Sequence, residues 1–265
     1  MKGYYSHWAG EEERLFKKPA GIIERLRTES ILRRHLPKAP AVIYDVGGGA
    51  GAYAFPLTEQ GYSVHLIDFT PLHIEQAKER MEKTGVKLAS ASVGDARELK
   101  VKVSVADVVL YLGPLYHLQE KDDRNKALRE AYRILKPGGM IFAVGISRFV
   151  PVLKFGSTNR LIQPELTAVV EEGLKTGKYN IPLGERGIFS MYGHLPDELG
   201  KELQDANFKN VNLFGIEGPS WAFVALQETV ENKKSLDMLL YFLEKMENEP
   251  SLIGVSSHIM AIGKK

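Results

Sequence analysis

A doubly wound α/β fold with a mostly parallel sheet of seven strands is predicted for this 265-residue chain by three observations. An apolar, β-branched run closes on an acid and breaks into clustered glycines at Ala41-Val42-Ile43-Tyr44-Asp45-Val46-Gly47-Gly48-Gly49-Ala50-Gly51-Ala52. A second apolar run, Tyr62-Ser63-Val64-His65-Leu66-Ile67, also closes on an acid, Asp68. From there to residue 147 helical and strand-like segments alternate, the pattern that makes parallel strands with right-handed crossovers and helices on both faces. The ligand of such a sheet sits at the carboxyl ends of its strands.

Composition narrows the function classes. The 35 basic and 33 acidic residues nearly cancel, so no global field argues for nucleic acid or a membrane as partner. Cysteine is absent, which excludes disulfide scaffolds, thiolate nucleophiles and Cys-built zinc sites and fits an intracellular chain. The seven histidines include neither H-E-x-x-H nor a tight ligand pair, and no metal is expected. The amino terminus lacks the long apolar core of a signal peptide, and no run approaches membrane-spanning length. A cytoplasmic location is the resulting expectation.

Taken in order, residues 1–40 form a helical flap. Tyr4, Tyr5 and Trp8 precede an acidic patch and a segment whose apolar set is Ile22, Ile23, Leu26, Ile31, Leu32 and Leu36. The basic residues on that segment are interrupted by Glu24 and Glu29, which describes a solvated helix face. Gly47, Gly49 and Gly51 then make G-x-G-x-G, while Gly47, Gly49 and Ala52 also satisfy the dinucleotide pattern. A helix stopped by Gly61 leads to the second strand and Asp68, whose carboxylate can accept from both hydroxyls of a ribose. Thr70-Pro71 opens the next helix, and a weak strand near residues 87–92 precedes Gly94-Asp95-Ala96-Arg97. The fourth strand, residues 106–112, enters Gly113-Pro114-Leu115-Tyr116-His117. A helix over residues 121–136 ends at Pro137-Gly138-Gly139 before the strand at 140–147.

This order of motifs resembles the class I S-adenosylmethionine-dependent methyltransferases. The likeness covers residues 41–147 and rests on the ordered set, from the glycine turn through Asp68, Gly94-Asp95-Ala96 and Gly113-Pro114 to Leu135-Lys136-Pro137-Gly138-Gly139. It implies a Rossmann-like domain over 41–147 and 195–265, with the last strand inserted antiparallel beside the fifth. Residues 148–194, rich in aromatics and with a helix expected over 164–175, form a lid inserted above the strand ends. A single helix is expected over 228–247.

The resemblance also implies the chemistry: in-line transfer of a methyl group from S-adenosylmethionine to an N, O or C nucleophile of a small molecule, leaving S-adenosylhomocysteine. Carried onto this chain, Gly47, Gly49 and Gly51 line the methionine part and Asp45 faces its ammonium. Asp68 holds the ribose, Phe69 flanks the adenine, and Asp95 with Ala96 reads the adenine edge. Leu112 and Gly113 lie beside the sulfonium, and Tyr5 belongs to a flap over the cofactor. His117 is the first choice for a base or orienting group and Tyr116 its rival, ahead of His258, Tyr192, His194 and Arg148. Three other readings stay open: a tRNA nucleoside acceptor, an NAD(P)-dependent oxidoreductase, and a cofactor-binding protein without turnover. Oligomeric state has no sequence signal.

Overall fold

The computed structural model describes residues 10–184 and 187–265. Its sheet holds nine strands among these residues. The central five are β1 (Val42–Val46), β2 (Ser63–Asp68), β3 (Ser90–Val93), β4 (Ala106–Tyr111) and β5 (Leu135–Ser147), parallel in the order β3-β2-β1-β4-β5. Three additions complete it. β6 (Lys178–Pro182) and β7 (Ile188–His194) form a hairpin, and β7 pairs with Ile146 and Ser147 at the end of β5. β8 (Lys209–Gly215) pairs antiparallel with β9 (His258–Lys264), which lies antiparallel along β5 from Met140 to Ile146. The inserted last strand matches the expected arrangement, and the hairpin of the 148–194 insertion raises the count above seven.

The apolar runs are continuous because both faces of the sheet are covered, as in parallel sheets generally. Val108, Leu110, Phe142 and Val144 point to one core, shared with Ile31 and Leu32 of α2 (Pro19–His35), Phe55 of α3 (Ala54–Glu59) and Ile74 and Ala77 of α4 (Pro71–Thr84). Their neighbours Val109, Tyr111, Ile141 and Ala143 point to the other. There they meet Ala127, Leu128, Ala131 and Ile134, spaced by three and four along α6 (Lys121–Ile134), which follows the short α5 (Pro114–His117). Leu199 and Leu203 of α9 (Pro196–Asp205) join that face.

α1 (Gly10–Lys17) leads into α2, while α7 (Val150–Ser157) and α8 (Pro164–Thr176) belong to the insertion. The single helix expected over 228–247 is two, α10 (Leu226–Glu231) and α11 (Lys233–Met246). Asn232 separates them, its side chain accepting from Ser235 N at 3.0 Å as an N-cap does. A 3₁₀ turn, Gly218–Ala222, and α12 (Pro250–Ile253) link β8 to β9.

Candidate active site

The glycine turn leaves β1 under tight constraint. Gly47 has φ +73°, and a Cβ there would lie 2.6 Å from Cγ of Pro114, so the turn and the start of α5 are in direct contact. Gly49 has φ +59° and faces open space, with His73 Nδ1 at 4.0 Å as the nearest atom a Cβ would meet. Its bare backbone forms part of a cavity of about 1860 Å³. Pockets that hold one drug-sized ligand measure roughly 300–1,000 Å³, so this space has room for two.

Ten of the predicted site residues line that cavity: Gly47, Gly49, Asp68, Phe69, Asp95, Ala96, Leu112, Gly113, Tyr116 and His117. Asp68, at the end of β2, accepts from Gly49 N at 2.9 Å and Thr70 N at 2.8 Å, and its Oδ1 lies 3.0 Å from His73 Nδ1. An ionised carboxylate offers about four lone-pair sites, so Asp68 braces the turn and keeps limited capacity for a ribose. Asp95 is held by Arg97, which donates through Nη2 at 2.6 Å and through Nε at 3.0 Å, and this pairing keeps the carboxyl below its ordinary range. Arg97 in turn donates to Asp123 at 2.8 Å. Phe69 is 45 % exposed, a ring presented to the cavity rather than to the core.

Two predicted residues do not reach the cavity wall. Gly51, at φ +88°, packs against the first turn of α3, where a Cβ would lie 2.9 Å from the Phe55 ring. Asp45 is fully buried behind the turn, its carboxylate pressed under Gly48. Both Asp45 oxygens lack hydrogen-bond partners among the described residues. Burial, and then the nearby Asp68, push its carboxyl up to about 7. Tyr5, with Tyr4 and Trp8, lies outside the described residues.

The secondary candidates divide. Arg148 pairs with Glu198 at 2.6 Å, Tyr192 donates to the same carboxylate, and neither lines the cavity. His194 is fully buried beside Glu202, 3.4 Å away, and burial lowers its pKa. These groups hold the insertion against α9. Gln119 does similar work on its other side, donating to Tyr179 O at 3.0 Å and Met191 O at 3.2 Å. Phe189 is thereby brought edge-on to His117, with ring centroids 5.8 Å apart.

His258 belongs in the cavity, with partners that sequence reading missed. Its Nδ1 bonds to Glu217, its backbone N donates to the same carboxylate at 2.9 Å, and Glu24 lies 3.6 Å from Nδ1. Arg14 closes the network by pairing with Glu24. Burial opposes a charge on His258, but Glu217 and then Glu24 outweigh it and raise its pKa to about 9. Side-chain ligand atoms of Glu24, Glu217 and His258 lie within 4.8 Å of one another. Glu217 follows the end of β8, the same acid-after-strand signal that marked Asp45 and Asp68. His73 had a signal too, five residues after Asp68 in the first turn of a helix.

Residues 43–139 match the family model described as a methyltransferase domain. The ubiquinone/menaquinone biosynthesis C-methyltransferase of Zymomonas mobilis is 29% identical over 175 residues, which are 63% of this chain and 69% of that protein. The 2-methyl-6-phytyl-1,4-hydroquinone methyltransferase 1 of Oryza sativa is 27% identical over 129 residues, 48% of this chain and 37% of its own length. The chain thus spans little more than a third of the rice protein. Among solved structures, an S-adenosylmethionine-dependent methyltransferase of Methanosarcina mazei aligns with TM-score 0.60 at 18% identity, covering 89% of this chain and 96% of that one. That likeness is one of fold.

Proposed function

We propose that this chain, which carries a class I S-adenosylmethionine-dependent methyltransferase domain, methylates a small phenolic or hydroquinone acceptor at ring carbon or oxygen. The observation that carries the proposal is the continuity of one cavity from the glycine turn, Asp68 and Phe69 to Tyr116, Phe189 and Trp221. The residues at its first end fit the cofactor. Gly49 leaves a cradle that a Cβ would fill, and the orphaned carboxyl of Asp45 underlies the turn where a cationic ammonium is expected.

Bound S-adenosylmethionine supplies an activated methyl group, and catalysis then rests on alignment and exclusion of water. Asp68 and the glycine turn fix the cofactor's ribose and methionine ends. Gly113 brings bare backbone against the turn, since a Cβ there would lie 3.1 Å from Gly47 O and 3.6 Å from the Tyr116 hydroxyl. Tyr116 therefore stands between the two ends of the cavity, its ring 6.4 Å from that of His258. Trp221 offers a flat wall that cannot swing freely, because its indole N–H donates to Val255 O at 2.8 Å. A planar acceptor is what such walls sort for.

Of the relatives named above, the Zymomonas protein is named for ubiquinone/menaquinone biosynthesis and the rice protein for a hydroquinone, in agreement with an aromatic acceptor. Release of S-adenosylhomocysteine, followed with a methylnaphthohydroquinone and in parallel with histamine and phosphoethanolamine, tests the reading. Turnover of the hydroquinone is expected. Turnover of an amine and not of the hydroquinone overturns it.

A further inference from the structure

We infer that His258, oriented by Glu217, is the anchor for an ionised acceptor oxygen, its Nε2–H donating to a phenolate at the end of the cavity away from the glycine turn. The inference rests on the proposed phenolic acceptor and assigns the atom that receives it.

Geometry carries the assignment. His258 opens β9, opposite Ile146 near the carboxyl end of β5, and lines the cavity. Glu217 takes Nδ1, and a bond at that nitrogen fixes the ring so that Nε2 is the atom left for a ligand. Among the described residues Nε2 has no hydrogen-bond partner, and it is not among the buried unpartnered atoms, so it is open to the cavity. Glu217 itself is braced. Its backbone N and that of Gly218 donate to Ser256 Oγ at 3.0 and 3.1 Å, and Ser256 Oγ lies 3.1 Å from Glu217 Oε2. A buried carboxylate so held keeps the imidazole in place and charged.

The charges around His258 come from four elements. Glu217 follows β8, Glu24 lies on α2, Arg14 on α1, and the Tyr116 ring approaches from α5. Arg14 with Glu24 and His258 with Glu217 make two neutral pairs. An anionic oxygen at Nε2 therefore meets a histidinium donor without an adjoining unpaired carboxylate. The raised pKa of about 9 means that His258 already carries its proton at neutral pH. It does not remove the acceptor's proton. The phenol O–H bond breaks with its electron pair left on oxygen, the proton passes to solvent, and the phenolate accepts from Nε2–H.

The test is spectroscopic and requires no turnover. 4-Nitrophenol, whose phenolate absorbs in the visible, is titrated with pH in the presence of the protein saturated with S-adenosylhomocysteine. An opposite charge at contact distance shifts such a group by about one unit or more, so the bound probe is expected to ionise at least one pH unit below the free one. His258→Phe should abolish the shift with S-adenosylhomocysteine affinity unchanged by calorimetry. Glu217→Gln leaves the ring but removes its counter-charge, so the pH above which the probe's stabilisation disappears should fall. A probe that fails to bind, that ionises as in free solution, or whose shift survives His258→Phe overturns the inference. Failure of S-adenosylhomocysteine to bind overturns the cofactor reading instead, so the two are told apart.

Discussion

The two ends of the cavity are built by opposite means. The glycine-turn end is contiguous and set by bare backbone with two carboxylates: Gly47, Gly49, Asp68, Asp95 and Gly113 all come from the ends of neighbouring parallel strands. The far end is made of side chains drawn from both ends of the chain, Arg14 and Glu24 from α1 and α2, Glu217 and His258 from the edge beyond β8. A site built on bare backbone is sensitive to one added carbon atom. A site of paired ionisable side chains tolerates small changes of shape and answers to protons.

The largest effect that would break this contrast is steric. Gly47→Val places a branched side chain at φ +73° and into Pro114. Loss of S-adenosylmethionine binding by roughly a hundredfold or more is expected, because a few kcal/mol of strain falls on the turn itself. Near-native affinity by calorimetry would mean the turn is not the binding surface. Next is Asp68→Ala, which removes both the brace on Gly49 and the proposed ribose acceptor. It should cost on the order of 1.5 to 3 kcal/mol of cofactor binding, the range for charge-assisted hydrogen bonds. Unchanged affinity would remove Asp68 from the site.

The far end should declare itself through pH. Folded His258 holds its proton up to about 9, whereas the unfolded imidazole releases it near 6.5. The folded state then binds more protons between these values, so the contribution of His258 to stability is full below 6.5 and is lost as pH rises toward 9. Glu217→Gln should flatten that decline in thermal melts. Asp45 gives a second window of the same sign at lower pH, since its carboxyl ionises near 7 when folded against 3.8 when free. Stability of the ligand-free protein should fall between these values, and Asp45→Asn should remove that fall. A profile unchanged by either substitution would contradict the burial argued for that residue. The smallest effect is expected from Arg97→Ala, which frees a partly exposed carboxylate at Asp95. Exposed pairs contribute about 0–1 kcal/mol, so cofactor affinity should change by no more than about fivefold.

The sequence could be read to the extent that the fold repeats a local rule. Acid at the end of β1, glycines, acid at the end of β2, and an apolar fourth strand entering Gly-Pro are each decided within a few residues, and they meet in space because parallel strands end together. Asp45 and Gly51 show the limit of that reasoning: one residue's difference along a strand or turn decides whether an atom faces the cavity or the core, and periodicity alone does not tell which. The hairpin of residues 178–194 has no local signal as clear as the acid-and-glycine pattern, and its place on the sheet is fixed by contacts from outside it, with Gln119 and the end of β5. Glu217 carried the acid-after-strand signal. Its meaning depended on His258, 41 residues away in sequence, and on Glu24 from the other end of the chain.

The central claim is that the glycine turn and Asp68 hold S-adenosylmethionine. Isothermal calorimetry of the dialysed protein against S-adenosylmethionine, S-adenosylhomocysteine and oxidised and reduced nicotinamide dinucleotides tests it most directly. Micromolar 1:1 binding of the first two, lost in Gly47→Val, is expected, with no heat from the nicotinamides. Binding of the nicotinamides alone would contradict it.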